Sequence, residues 1–210
     1  MKKLTLVFIL TCCMLNVAAQ DSFKVNYQGT RPMIKDFVKA FIVSLDLDNV
    51  EECDAESMAL YKNLQHAIGL QKKGQPLDNN ETLTIDTKNG FLVYEWTYEE
   101  SSTKIEMCYW NEADGKHKLF AVSRWCFVNG KPSSGQYDGM LFYRYNNATR
   151  KMTSCEIPGF NVEYFNKSYA LPRVGKDIIV TTWHDNGTKT QNSLKWNGHG
   201  FNYDGADRKN

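Results

Sequence analysis

The chain has 210 residues, with 25 basic and 24 acidic side chains and a net charge of +1. This balance leaves no basic stripe for nucleic acid, and no segment after the N-terminus is long and apolar enough to cross a membrane. Aromatic residues make up 13% of the chain, including five tryptophans that all lie in predicted strands. Rings of this kind either fill a core or form a surface that stacks on sugars.

The N-terminus has the pattern of a signal peptide. Met1–Lys3 is positively charged, Leu4–Leu15 is apolar but too short to span a bilayer, and Val17–Ala19 supplies small residues for cleavage. The sequence therefore predicts a signal peptide over 1–19 and an exported protein, which would be periplasmic, cell-surface or extracellular. A lipoprotein is the alternative, although the residues before Cys12 and Cys13 fit a lipobox badly. Residues 20–210 are predicted to form a single α+β domain, helical over 30–70 and β-rich over 80–203.

Two amphipathic helices are predicted first. Thr30 can cap a helix whose apolar residues follow at helical spacing from Met33 to Leu45. Residues 46–56 contain six acids and no base, but they lack the glycine and later ligands of a calcium loop, which favours a solvated linker. The second helix is predicted over Ala55–Ile68, with Asp54 as its N-terminal cap, and is expected to end at Gly69. His66 lies off its apolar stripe and is expected at the surface.

Residues 82–127 are predicted to form a four-stranded antiparallel meander. Its turns are placed at Asn89-Gly90, within 99–102, and at Asp114-Gly115. The corresponding registers pair Ile85 with Tyr94, Tyr94 with Met107, and Tyr109 with Phe120. Because side chains alternate across a strand, these registers collect one apolar face and one mixed face. The apolar face comprises Leu83, Ile85, Leu92, Tyr94, Trp96, Ile105, Met107, Tyr109, Phe120 and Val122. The mixed face comprises Thr84, Asp86, Val93, Glu95, Glu106, Cys108, Ala121 and Ser123.

Four cysteines follow the predicted signal peptide: Cys53, Cys108, Cys126 and Cys155. An even count in an exported chain suggests two disulfides, and buried thiols are the alternative. The register places Cys108 opposite Ala121, so Cys126 lies roughly 16 Å further along its strand. Bridgeable Cα atoms lie within about 7 Å, so no Cys108–Cys126 disulfide is predicted.

The remaining chain contains strand patterns. One hairpin is predicted from Met140–Tyr145 and Lys151–Glu156, and another from Asp177–Trp183 and Lys189–Trp196, with a return strand through Phe201 and Tyr203. The segments 108–120 (CYWNEADGKHKLF), 142–149 (FYRYNNAT) and 171–183 (LPRVGKDIIVTTW) resemble a family of exported proteins from Bacteroidetes bacteria. The resemblance covers most of the chain after the signal peptide. It implies export and carries no catalytic motif.

One pair of carboxylates is the candidate catalytic site in the sequence. Hydrolase, metalloprotease, P-loop and dinucleotide motifs are missing, and the pattern predicts neither a cofactor nor a metal site. His117, His184 and His199 lie in or beside predicted turns, without a second His or Cys at metal-ligand spacing. The predicted register places Glu95 directly opposite Glu106. Carboxyl groups about 5–5.5 Å apart are what a retaining glycosidase uses, but two solvated side chains relieved by Lys104 are the simpler interpretation.

These patterns favour an α+β fold, with two N-terminal helices packed on a twisted antiparallel meander. A lipocalin-like barrel and an NTF2-like cone are the alternatives. The expected function is a non-catalytic exported binding or interaction domain, for a glycan or a cell-envelope protein. The alternative is a glycan-directed hydrolase that uses Glu95 and Glu106.

Overall fold

The computed structural model describes residues 22–48, 55–133, 139–157, 160 and 166–203. The predicted signal peptide, Cys53 and most of the acidic linker lie outside these residues. Among the described residues, none of the helices combines the length and apolar character needed to cross a membrane.

Two helices and twelve strands follow one another along the described residues. The helices are α1 (Ile34–Ser44) and α2 (Ala55–Lys72). The strands are β1 (Ser22–Lys24), β2 (Glu81–Asp86), β3 (Phe91–Tyr98), β4 (Ser101–Asn111), β5 (His117–Val128), β6 (Lys131–Ser133), β7 (Gly139–Asn146), β8 (Lys151–Ser154), β9 (Lys167–Ala170), β10 (Ile178–Trp183), β11 (Lys189–Trp196) and β12 (Phe201–Tyr203).

The strands form two antiparallel sheets. The larger has the order β1-β8-β7-β5-β4-β3-β2, with β6 paired to the end of β5, and the smaller has the order β12-β11-β10-β9. The α+β class with an antiparallel sheet, the meander β2–β5 and the two later hairpins are confirmed. Within the described residues, the outer strands β1 and β2 of the larger sheet do not pair with each other, so the closed lipocalin-like barrel is not supported.

The apolar face of the larger sheet packs against residues of both helices. The ring of Phe37 in α1 stacks on Phe120 with centroids 5.7 Å apart, and Phe41 contacts Tyr61 of α2 at 5.6 Å. All ten residues predicted for this face belong to the hydrophobic core that the helices and the larger sheet share. Six of them are buried, and Leu83, Ile85, Trp96 and Tyr109 are partly buried. The helix periodicity and the strand alternation therefore identified the same core.

The smaller sheet covers the opposite, mixed face, and this packing was not predicted from the sequence. Trp125 of β5 stacks on Tyr169 of β9 at 5.6 Å, and Trp110 of β4 stacks on Trp196 of β11 at 5.6 Å. The small side chain of Ala121 lies in this interface and has no exposed surface, which is consistent with a close approach of the two sheets. The chain thus builds a second core between two sheets, and residues expected to meet solvent are buried there.

Two of the three predicted hairpin registers are wrong by two residues. The first loop has four residues, because Asp86 pairs with Phe91 and its carboxylate accepts hydrogen bonds from Asn89. The second has two residues, with Glu99 at a φ of 51°, so Tyr94 pairs with Ile105 instead of Met107. The third register, which pairs Tyr109 with Phe120, is confirmed. A two-residue shift keeps every side chain on its face, which is why the predicted faces survive.

The helix ends also differ from the prediction. Residue 33 caps α1 instead of Thr30, and Asp36 accepts a hydrogen bond from the Met33 N–H at 2.8 Å. Helix α2 continues through Gly69 to Lys72, because a single glycine costs only about 1 kcal/mol inside a helix. The predicted Asp54 cap lies outside the described residues.

The cysteines in the described residues carry thiols. Cys108, Cys126 and Cys155 are not in disulfides, so the predicted lack of a Cys108–Cys126 bridge is confirmed. Burial raises the pKa of the Cys108 thiol well above its usual value, which keeps it protonated.

Candidate binding cleft beside Glu112 and Arg144

Two turns from different sheets meet at one end of the molecule. The Ala113 N–H, in the turn between β4 and β5, donates to the Gly198 carbonyl, in the turn between β11 and β12, at 2.9 Å. Gly198 has a φ of 101°, and a Cβ there would lie 3.1 Å from the Ala113 Cβ. This close approach brings side chains from distant parts of the sequence together.

Glu112 lies at the centre of this junction with only 4% of its side chain exposed. Its Oε1 accepts a hydrogen bond from Arg144 Nε of β7 at 2.7 Å, and its Oε2 lies 3.3 Å from His199 Nδ1. The hydrogen bond to Glu112 raises the pKa of Arg144 above its usual value. A buried carboxylate needs such partners, because an uncompensated buried charge is strongly destabilising. Glu112 therefore holds Arg144 in place, and 39% of the Arg144 side chain remains exposed.

Asp114 and His117 form a second pair beside this one. His117 Nδ1 lies 2.5 Å from Asp114 Oδ2, and His117 Nε2 lies 3.0 Å from Asn146 Nδ2. Asn146 Oδ1 accepts hydrogen bonds from the N–H groups of Ala148 and Thr149, which orients its amide nitrogen toward the imidazole. Nε2 therefore accepts and Nδ1 carries the proton donated to Asp114. The hydrogen bond from His117 lowers the pKa of Asp114 to about 2.

An open cleft adjoins these residues on the uncovered end of β7 and β8. Its volume is about 810 Å³. We call it the Arg144 cleft, and it is lined by His117, Arg144, Asn146, Thr149, Lys151, Thr153, Ser154, Cys155 and Glu156. The lining offers hydroxyl, amide, cationic and carboxylate groups, so it can both donate and accept hydrogen bonds. Burial raises the pKa of the Cys155 thiol, which makes it a poor nucleophile.

Metal ligation is chemically conceivable but opposed by the charges. Ligand atoms of Glu112, Asp114 and His117 all lie within 4.8 Å of one another. However, Arg144 already neutralises Glu112, and both ring nitrogens of His117 have hydrogen-bond partners. A cation would have to displace a proton and lie beside a guanidinium group. The arrangement is better suited to positioning Arg144 than to holding a metal ion.

The predicted carboxylate pair is not directly opposed. Glu95 pairs with Lys104, and Glu106 pairs with Val93. Glu106 is buried instead of solvated: its Oε1 lies 3.0 Å from Lys104 Nζ, and its Oε2 accepts the Leu171 N–H at 2.8 Å. Oε2 therefore connects the larger sheet to the segment after β9, whereas Oε1 pairs with Lys104 of the same strand, β4. Lys104 was predicted to offset the repulsion between two solvated carboxylates, and it does lie beside Glu106, but as an ion pair with a buried carboxylate.

The aromatic residues mostly fill the two cores. Trp110 and Trp125 are buried, whereas Trp96 is only partly buried. The Trp96 ring lies nearly parallel to that of Tyr98, with a centroid distance of 5.9 Å, and Tyr98 is 57% exposed. The large aromatic content therefore reflects two cores more than an open stacking surface.

Sequence reasoning missed the Glu112 junction. The spacing of Glu112, Asp114 and His117 within one turn was a readable signal, but Arg144 and His199 come from strands and turns whose proximity the sequence does not encode. His184 contacts Thr190 Oγ1 through Nε2 at 3.0 Å. That contact belongs to its own hairpin. His66 is exposed, as predicted.

Comparison of the chain with protein-family models, curated proteins and solved structures finds no match.

Proposed function

We propose that this protein is a non-catalytic exported binding domain and that its ligand is a glycan held in the Arg144 cleft. The observation that carries the proposal is the chemistry of that cleft. Its volume of about 810 Å³ lies within the usual range for small-molecule sites, but such sites are mostly lined by apolar groups. A lining of hydroxyl, amide and charged groups suits a ligand that is itself covered with hydroxyl groups.

A glycan fits this lining better than an envelope protein does. The centre of a protein interface is enriched in aromatic residues and methionine and depleted in charge. The residues that line the Arg144 cleft in the described chain include no aromatic side chain other than His117 and no large aliphatic side chain. Export rests on the N-terminal pattern over 1–19 and is part of the proposal.

Glu112, His117 and Asp114, the titratable groups at the junction beside the cleft, are held by hydrogen bonds to the protein. Both oxygens of Glu112, both ring nitrogens of His117 and both oxygens of Asp114 are engaged by protein groups. A general acid or base needs to reach the substrate proton. These groups are therefore suited to fixing Arg144 and Asn146, which would present hydrogen bonds to a bound sugar.

The test is a glycan array followed by calorimetric titration of residues 20–210 with the best-bound oligosaccharide. Thr153→Val removes a cleft hydroxyl and Lys151→Gln removes a cleft charge. Each should weaken binding roughly fivefold or more, the usual value of one hydrogen bond. Lys131→Gln is the matched control, because Lys131 is exposed at the opposite end of β5, and it should bind like the wild type.

Two results would count against the proposal: no glycan bound on the array, or binding that neither cleft substitution weakens. The hydrolase that would use Glu95 and Glu106 is tested in the same samples. Release of shorter sugars by the wild type, lost in Glu106→Gln, would favour that alternative.

A further inference from the structure

A second cavity lies between the two helices, and its lining is more apolar than that of the Arg144 cleft. It has a volume of about 570 Å³ and opens between α1, the C-terminal half of α2 and the strands β2 and β3. We call it the helix groove. Its accessible apolar floor is formed by Ile68 of α2 and Ile85 of β2, which are partly buried. The other apolar lining residues, Leu92, Val38 and Ile42, are 0%, 1% and 5% exposed and belong to the core that supports this floor.

The mouth of the helix groove has a different character. Lys35 and Lys39 of α1 lie one turn apart, and Lys72 of α2 is on the facing wall. All three are exposed. Val43 continues the same stripe of α1 and is 66% exposed, which places an apolar side chain at the entrance.

The charge at the mouth is positive. Asp36 is the acidic residue of the lining, and its carboxylate accepts the Met33 N–H at 2.8 Å at the start of α1. Three lysines against one carboxylate leave a net positive rim around an apolar floor. An apolar floor takes a hydrocarbon chain, since each buried methylene improves affinity by about fourfold. A lysine rim takes an anionic head group, whose charge stays close to water.

We infer that the helix groove binds a single-chain anionic amphiphile, a long-chain carboxylate taken up as a free monomer, with its chain on Ile68, Ile85 and Val43 and its head group at Lys35, Lys39 and Lys72. The groove volume lies within the range of small-molecule sites. This site is independent of the glycan proposal, because the two cavities share none of their lining residues.

The test uses dansyl-undecanoate as a fluorescent probe, displaced by octanoate, decanoate or dodecanoate below their micelle concentrations, or by dodecanol below its solubility limit. We expect a saturable blue shift of the probe, tighter displacement with each longer carboxylate, and dodecanoate binding more tightly than dodecanol. Added salt should weaken dodecanoate and leave dodecanol unchanged, because exposed charges are screened.

Variants locate the site. Reversing two rim charges with Lys35→Glu and Lys39→Glu should weaken dodecanoate at least tenfold and leave dodecanol unchanged. Val43→Glu, at the entrance, should weaken both ligands. Val174→Glu is the matched control, because Val174 is 81% exposed in the connection between β9 and β10, and it should change neither. All these side chains are at the surface, so the fold should be retained, and circular dichroism would verify it.

Several outcomes would overturn the inference. They are the absence of saturable probe binding, equal affinity for dodecanoate and dodecanol, and equal effects of Val43→Glu and Val174→Glu. Co-sedimentation with phosphatidylglycerol vesicles, without binding of monomers, would assign the lysines to a membrane surface and would overturn it as well.

Discussion

Replacing Glu106 by glutamine tests whether the mixed face of the larger sheet is a buried interface. Glu106 is 7% exposed, and its two oxygens contact Lys104 Nζ at 3.0 Å and the Leu171 N–H at 2.8 Å. A hydrogen bond to a charged group contributes about 1.5–3 kcal/mol. Glutamine keeps an amide oxygen for Leu171, and Lys104 is 27% exposed and can reach water. We therefore expect Glu106→Gln to lower the free energy of unfolding by about 1–3 kcal/mol.

Glu95 provides the comparison on the same face. It is the cross-strand partner of Lys104 and is only partly buried, so Glu95→Gln should change the free energy of unfolding by less than about 0.5 kcal/mol. Urea denaturation at neutral pH measures both variants. A double-mutant cycle with Lys104→Met separates the ion pair from the hydrogen bond to Leu171. Equal small effects of the two substitutions would refute the buried interface between the sheets.

Three further predictions concern stability. The pKa of Asp114 is lowered to about 2, so the contribution of its carboxylate to folding stability is present above the unfolded-state pKa, near 3.9, and is lost as the pH falls toward 2. The difference in free energy of unfolding between wild type and Asp114→Asn, measured by urea titration, should therefore shrink between about pH 4 and pH 2. Trp125→Ala should cost about 3–5 kcal/mol in urea unfolding, because the ring is 2% exposed, whereas Trp96→Ala should cost less because Trp96 is only partly buried. Gly90→Ala should lower the melting temperature more than Gly115→Ala. Both glycines have a positive φ, but a Cβ at Gly90 would lie 2.7 Å from the ring of Tyr109, whereas a Cβ at Gly115 would have no neighbour within 4 Å.

Each of these predictions has an opposite result. An Asp114→Asn difference that stays constant down to pH 2 would mean that the hydrogen bond with His117 does not stabilise the native state. A cost at Trp96 equal to or above that at Trp125 would contradict the stacking between the sheets. Equal melting temperatures for the two alanine variants would mean that the ring near Gly90 moves freely.

The predicted faces of the meander are confirmed, whereas two of its three predicted registers are wrong, and the difference has a physical reason. Side chains alternate with a period of two, so the pattern of apolar residues fixes which face each residue occupies. A shift of two residues leaves that pattern unchanged, and the turn residues alone had to decide between such registers. Asn89-Gly90 suggested a two-residue turn, but Asp86 stabilises a four-residue loop through hydrogen bonds to Asn89. The expected Glu95–Glu106 pair depended on the shifted register and was therefore lost.

The sequence by itself determined the two helices, the strands of the meander and which of its residues share a face, because each depends on local periodicity. Tertiary structure alone decided that the smaller sheet covers the mixed face, since Ala121 and Ser123 are compatible with either solvent or a second layer. Ser123 Oγ donates to the Tyr169 carbonyl at 2.6 Å across that interface. It also decided the Arg144 cleft, because Glu112, Arg144 and His199 are separated by tens of residues. Contacts of this kind depend on how sheets and turns pack, and a pattern of period two or 3.6 carries no information about them.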